Sequence, residues 1–354
     1  MTGIARYCRF VLAYNLAVIV WGAYVRASGS GAGCGSHWPS CNGEVVPLRP
    51  SAATLVEYSH RVSSGLVLVL VAVLAVWAFR AAPKGHPLRR GAVLSLVFTL
   101  SEAAVGAGLV LFKLVAHDES LARALAISTH LLNTLLLLAA LTLAAYAAGA
   151  FRTAAAAAQP AAGGGEASPG AGLAAGETAT DARVQGRRGP ERRPRPAWSF
   201  ALALAATMAI AATGAVAALG DTLFPAISLG QGLAQDLSPA SHLLLRLRTV
   251  HPLLAIALGA YLLYLCNQVV ASGAAGAAAR RLANRLRLLV IGQWTLGLLN
   301  IALLAPVWLQ LTHLLVADLL WIVLVLLTLE TLAAEPAPAG LASLVPTAAT
   351  ASRG

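Results

Sequence analysis

The amino-acid sequence predicts an all-α, polytopic membrane protein: eight transmembrane helices as two four-helix bundles related by a parallel pseudo-twofold repeat. Three observations carry that prediction. The 354 residues are 58% hydrophobic and 11% charged, with a mean hydropathy of +0.74, more apolar than an ordinary soluble chain. The apolar residues fall into runs of about 20, the length that crosses a bilayer as a helix. Short signatures also return at a nearly constant offset, the mark of an internal duplication.

In chain order, the runs predict helices near 11–27, 57–80, 91–112, 123–150, 198–219, 247–270, 284–304 and 307–331. The first is read as a retained helix, because no cleavage pattern of a removable leader accompanies it. The second opens on "EYSHR", the third carries Glu102, and the fourth begins with "STHLLNT". The sixth begins with "HPLLAI" and the eighth with "THLLVADLLW". Residues 1–150 therefore form an N-terminal four-helix half and 198–335 a C-terminal one. Between them, 151–197 is Ala/Gly/Pro-rich with a basic end, which predicts a disordered linker, and 336–354 reads as a disordered tail.

Lys and Arg set the orientation. Seven of the 25 lie on one side of the predicted spans: Arg26, Arg49, Arg61, Lys113, Arg123, Arg246 and Arg248. The other 18 lie at the N-terminus, in the 80–90 and 280–287 loops, in the linker and in the tail. The positive-inside rule then puts both termini and the linker in the cytoplasm of a bacterial cell, with the protein multi-pass in the inner membrane. The net charge of +11 belongs to this topology rather than to nucleic acid, since the basic residues sit in short clusters between apolar runs. The bilayer is the partner that composition implies, and homo-oligomerisation stays open.

Gly22-Ala23 recurs as Gly214-Ala215, 192 residues on; His60 recurs as His251, and Glu102-x-x-x-Gly106 as Gln293-x-x-x-Gly297, both after 191; "THLL" from Thr129 returns at Thr312 after 183. Four helices per copy give both copies the same orientation, around an axis along the membrane normal. Two similar sites are expected.

His60, His130, His251 and His313 each fall near the outer end of an even-numbered helix, so two imidazoles per half approach at one depth. A single such histidine could bond a neighbouring helix. Four at repeated positions point instead to heme iron gripped from both faces between bundle helices. His37, His86, His117 and His242 fall in loops and read as solvated residues.

Glu57 precedes His60 by three residues and so shares its helix face. It could move protons beside the imidazole, or simply pair with Arg61. Its repeat mate is Arg248, so one half alone offers this carboxylate. Glu102 and Asp318 read as intramembrane hydrogen-bonding groups. Arg26 and Arg61 stand near the outer mouth, where heme propionates or lipid phosphates would satisfy them. Cys8 and Cys266 read as small buried apolar residues. Cys34 and Cys41 share one Gly-rich outer loop, where an oxidising compartment permits a disulfide.

These motifs, together with "WGAYVRASGSGAGCGSHWPSCNGEVVP", resemble the heme A synthase family, membrane enzymes that convert heme O to heme A for terminal oxidases. The resemblance implies heme b on His251 and His313, and the substrate heme O on His60 and His130. It further implies Glu57 as the catalytic carboxylate and Cys34/Cys41 as an outer-loop redox pair. The reaction implied takes a porphyrin methyl group through an alcohol to a formyl group, with electrons leaving through the heme b half to an unspecified acceptor. A heme O synthase is the implied partner that delivers substrate. Two departures stand out: residues 220–246 lack the second cysteine pair that many relatives carry, and Glu102 stands where the family has glutamine. The alternative function is a non-catalytic diheme cytochrome b, which needs the four histidines but not Glu57. A transporter would want midplane polar sites and broken helices, whereas these histidines gather toward one face.

Overall fold

The computed structural model describes residues 2–151, 197–272 and 275–333. The tail at 336–354 and the linker at 151–197, except for its two end residues, lie outside the described residues. The helices are α1 (Thr2–Ala27), α2 (Ala52–Ala81), α3 (Pro87–Leu111), α4 (Leu121–Ala147), α5 (Ala197–Leu223), α6 (Leu229–Leu237), α7 (Leu243–Arg248), α8 (Val250–Ala271), α9 (Ala277–Ala302) and α10 (Val307–Ala333). A short 3-10 turn at Ser30–Ala32 follows α1. Among the described residues the remaining pairing is one isolated bridge between Cys41 and Glu44.

Among the described residues, seven spans are long and apolar enough to cross a membrane: α1 to α5, the α7–α8 stretch, and α10. The chain is a multi-pass membrane protein. Helices are the form in which a lipid-facing backbone satisfies its own hydrogen bonds. Their outward faces carry exposed apolar side chains such as Val69, Leu253, Leu288 and Leu298. The predicted helix at 284–304 exists as α9, with 26 residues. Arg280, Arg281, Arg285, Arg287, Gln293 and Asn300 make it less apolar than the other seven.

The helices run past their predicted ends where polar caps extend them. α1 begins nine residues earlier than the apolar run and takes Arg6 and Arg9 into its first turns. Ser51 caps α2 by accepting the Thr54 N–H at 3.1 Å. His86, expected to be merely solvated, caps α3 by accepting the Leu88 N–H, and Pro87 takes the first turn, where no N–H is required. His242 caps α7 in the same way. The sixth predicted helix is interrupted at Thr249, where α7 passes into α8.

Packing follows the chain. α1 lies on α2 and α4, and α3 lies on α2 and α4; α5 and α9 lie on α8, α9 lies on α10, and α10 lies on α5. α4 meets α5 and α10, and α1 meets α10, so one apolar core runs through both sets of helices, from Ile4 and Leu74 to Leu138, Phe200, Leu265 and Leu327. Polar bonds cross the same seam. Arg26 donates to Ala218 O and Thr222 Oγ1 on α5 and to Gln310 Oε1 on α10, and Trp321 Nε1 donates to Leu135 O at 2.7 Å.

Candidate functional site

All four repeated histidines sit near the N-terminal ends of α2, the α7–α8 stretch, α4 and α10, at the end of the molecule that also holds the 28–51 loop. None is splayed onto an outer surface; all four are half-buried. His60 and His130 are close enough to sense each other's charge, as are His251 and His313. His60 and His130 thus lie near one another in the first half, and His251 and His313 in the second.

Each ring lies against a glycine of a neighbouring helix, and two of the rings occupy room that only a glycine leaves. A Cβ on Gly22 would stand 2.8 Å from Cε1 of His60, and one on Gly214 would stand 2.9 Å from Cε1 of His251. The rings of His130 and His313 lie against Gly106 and Gly297, where an added Cβ would make ordinary contact at 3.4 and 3.5 Å. Nδ1 of His60 and Nδ1 of His313 are buried without a hydrogen-bond partner among the described residues. Imidazoles with uncommitted ring nitrogens and small residues beside them fit residues that could hold a heme iron. Among the described residues no three His, Cys, Asp or Glu side chains form a metal-binding cluster, and heme asks for two.

The two pairs differ in what holds them. Nδ1 of His130 lies 2.8 Å from Oε1 of Glu102, and Thr134 Oγ1 and Asn133 Nδ2 donate to the same carboxylate. In the other half, Thr213 Oγ1 lies 3.1 Å from Nδ1 of His251, and the Gln293 amide lies 3.1 Å from Nε2 of His313. The recurrence of Glu102-x-x-x-Gly106 as Gln293-x-x-x-Gly297 was the signal for this second layer. It marks the positions, but nothing in it joins Glu102 to a histidine 28 residues away.

Glu57 is 4% exposed. Oε2 accepts the Cys34 N–H at 2.8 Å, and Oε1 meets the Arg61 guanidinium at 2.5 Å. Arg61 also donates to the carbonyls of His37 and Ser40. Cys34 and Cys41 are joined as a disulfide and buried. Gly33 lies so close to the Ala53 backbone that a side chain has no room, and Thr54 Oγ1 donates to its carbonyl. The disulfide loop is thus docked on the first turns of α2 through Thr54, Glu57 and Arg61, beside the His60 pair. Among the described residues Glu57 has no hydrogen bond to His60.

The corresponding mouth in the second half is closed by charge. Arg248 meets Asp221 on α5 at 2.8 Å and Asp236 on α6 at 2.5 Å. α6 itself, a nine-residue helix, is too short and polar to stand out in the sequence. Asp318, expected to bond a neighbouring helix, is buried with neither oxygen hydrogen-bonded among the described residues.

Residues 5–325 match the model of the COX15-CtaA family, cytochrome oxidase assembly protein. The chain belongs to the COX15-CtaA family. Its similarity to a Thermus thermophilus protein named protoheme IX farnesyltransferase is 43% identity over 329 residues, 93% of this chain and 48% of that one. The chain thus spans about half the length of this relative. The chain is also similar to proteins named heme A synthase. One, from Halalkalibacterium halodurans, is 42% identical over 95 residues, 27% of this chain and 32% of that protein. Another, from an Exiguobacterium species, is 37% identical over 110 residues, 31% of this chain and 36% of that protein.

Proposed function

We propose that this chain is a heme A synthase, an oxidoreductase that turns a methyl group of heme O into the formyl group of heme A for terminal oxidase assembly. The observation that carries the reading is the pairing of His60 with His130 and of His251 with His313 at one end of the molecule, next to a single docked disulfide loop. The family and the relatives named heme A synthase support it.

The proposed architecture is eight membrane-crossing helices, counting α9, in two four-helix halves related by a parallel repeat. The halves are 1–150 and 198–335, with both termini on the cytoplasmic side of a bacterial inner membrane. The recurrent glycine–histidine contacts at Gly22/His60 and Gly214/His251 support the repeat. The charge count supports the orientation, with the Cys34–Cys41 loop outside, where a disulfide persists.

His60 and His130 would hold the iron of the substrate heme O. His251 and His313 would hold heme b, which when bound supplies a one-electron redox centre. Glu57 is the carboxylate under the disulfide loop of the first half, proposed to accept a proton from the group being oxidised. Arg61 and the Cys34 N–H fix its orientation, and the Cys34–Cys41 redox pair lies directly against it. Arg26 and Arg61 each keep at least one N–H beyond their protein bonds, enough to reach a propionate at the mouth. The partial match to a protoheme IX farnesyltransferase supports a heme O synthase as the partner that hands over substrate. A diheme cytochrome b would use the same histidines but has no use for Glu57.

The test is expression with a heme O source, followed by pigment extraction and chromatography of hemes B, O and A. Heme A is expected from the native chain. Glu57→Ala is expected to keep its hemes, lower heme A output about 100-fold or more, and accumulate heme O or its hydroxylated form. Undiminished heme A from Glu57→Ala would reject the role of Glu57, and a native chain that binds heme yet yields no heme A would leave the cytochrome.

A further inference from the structure

The two histidine pairs are not held alike, and the difference lies in one side chain at the same repeat position. Glu102, on α3, has three partners: His130 Nδ1 at 2.8 Å and two donors, Thr134 Oγ1 at 2.5 Å and Asn133 Nδ2. Asn133 is itself fixed, because it donates to Phe98 O at 2.9 Å and accepts from Ser101 Oγ at 2.6 Å. A carboxylate at membrane depth is costly unless it is compensated, and this one is compensated by a built network. A proton on Nδ1, the nitrogen beside the Glu102 carboxylate, would leave Nε2 with the free lone pair. That nitrogen lies by Gly106, one turn beyond Glu102, where even an added Cβ would make only ordinary contact at 3.4 Å.

In the other half the order is reversed. Gln293, the repeat mate of Glu102, reaches Nε2 of His313, and Nδ1 of His313 is buried without a partner among the described residues. A neutral amide therefore touches the nitrogen that in the first half is left free. The halves thus differ both in charge and in which nitrogen is held.

We propose that Glu102 is a positioning residue for His130, fixing its ring so that Nε2 is offered to the iron of a porphyrin. Its negative charge gives the first half an electron-richer axial ligand than the second. The inference rests on reading His130 as an iron ligand. A carboxylate behind a ligating imidazole fixes the tautomer and raises ligand basicity, which favours the oxidised iron. The Glu102/Gln293 difference then sets the iron of the two sites at different potentials.

The test uses the purified full-length chain in detergent with hemin as probe, and reads equilibrium binding and the reduction potential of each bound heme. Glu102→Gln keeps an acceptor for the Nδ1 proton, so binding is retained and the first-site potential moves positive. Glu102→Ala loses the orientation, and first-site affinity falls about 10- to 100-fold. Thr134→Val removes a donor from the carboxylate and moves the potential the opposite way, to more negative values; it reads the same effect in a variant that preserves Glu102. The second-site heme reports folding in each variant. Native potential and native affinity in both Glu102 variants would overturn the inference. His130→Ala separates it from its premise: if that change costs no heme, His130 is not a ligand and the premise falls; if it does while Glu102 variants change nothing, the inference alone falls.

Discussion

Gly22 and Gly214 show how much of a functional site can hang on an absent side chain. An added methyl would enter the space of His60 at 2.8 Å or of His251 at 2.9 Å, and forcing atoms into a packed interior costs about 1–3 kcal/mol. Gly22→Ala is expected to abolish heme at the first pair and spare the second, with Gly214→Ala doing the reverse; quantitative heme spectra of the two purified variants check it. The four histidines stood out in the sequence because costly polar groups recurring in apolar runs signal themselves, Glu57 because it shares the His60 helix face, and the two cysteines because they share one Gly-rich loop. The partners were less so. Glu57 pairs with Arg61, one turn away, as helical spacing allows, but its second bond is to the Cys34 N–H, a loop contact that periodicity does not encode. Glu102 and His130 are likewise on different helices, and only the fold joins them.

All eight predicted runs are helical, the sixth broken at Thr249, and among the described residues seven of the spans are long and apolar enough to cross a membrane. Their ends did not follow hydropathy, because caps such as Ser51 and His86 and the arginines in the first turns of α1 and α9 prolong helices into polar sequence. α6 escaped notice because its nine residues are neither long nor apolar; its place is fixed by Asp236 meeting Arg248 at 2.5 Å. Arg248→Ala would leave Asp221 and Asp236 without their cation, at a cost of about 1–3 kcal/mol. It is expected to loosen residues 229–237, seen as faster amide exchange there, while exchange in the disulfide loop stays unchanged. Cys34→Ser is expected to lower turnover several-fold with helix content intact by circular dichroism; full turnover would reduce the disulfide to a staple for the loop. The opposed closures, covalent over the first half and ionic over the second, match the absence of cysteine from 220–246.

At the scale of the molecule, one apolar core and the Arg26 bonds to α5 and α10 tie together helices that the linker separates in sequence. The seam was not legible from either half alone, since each half's apolar stripes could equally have faced lipid. The recurring motifs are in the sequence, and the proposal built on them is two separable iron sites on one chain. That is the central claim, and the heme content per chain of four purified single variants, His60→Ala, His130→Ala, His251→Ala and His313→Ala, tests it most directly. Loss of one and the same heme in the first two variants, and of a second, spectrally distinct heme in the last two, is the predicted result. Four variants that all lose the same heme, or none that loses any, would contradict it.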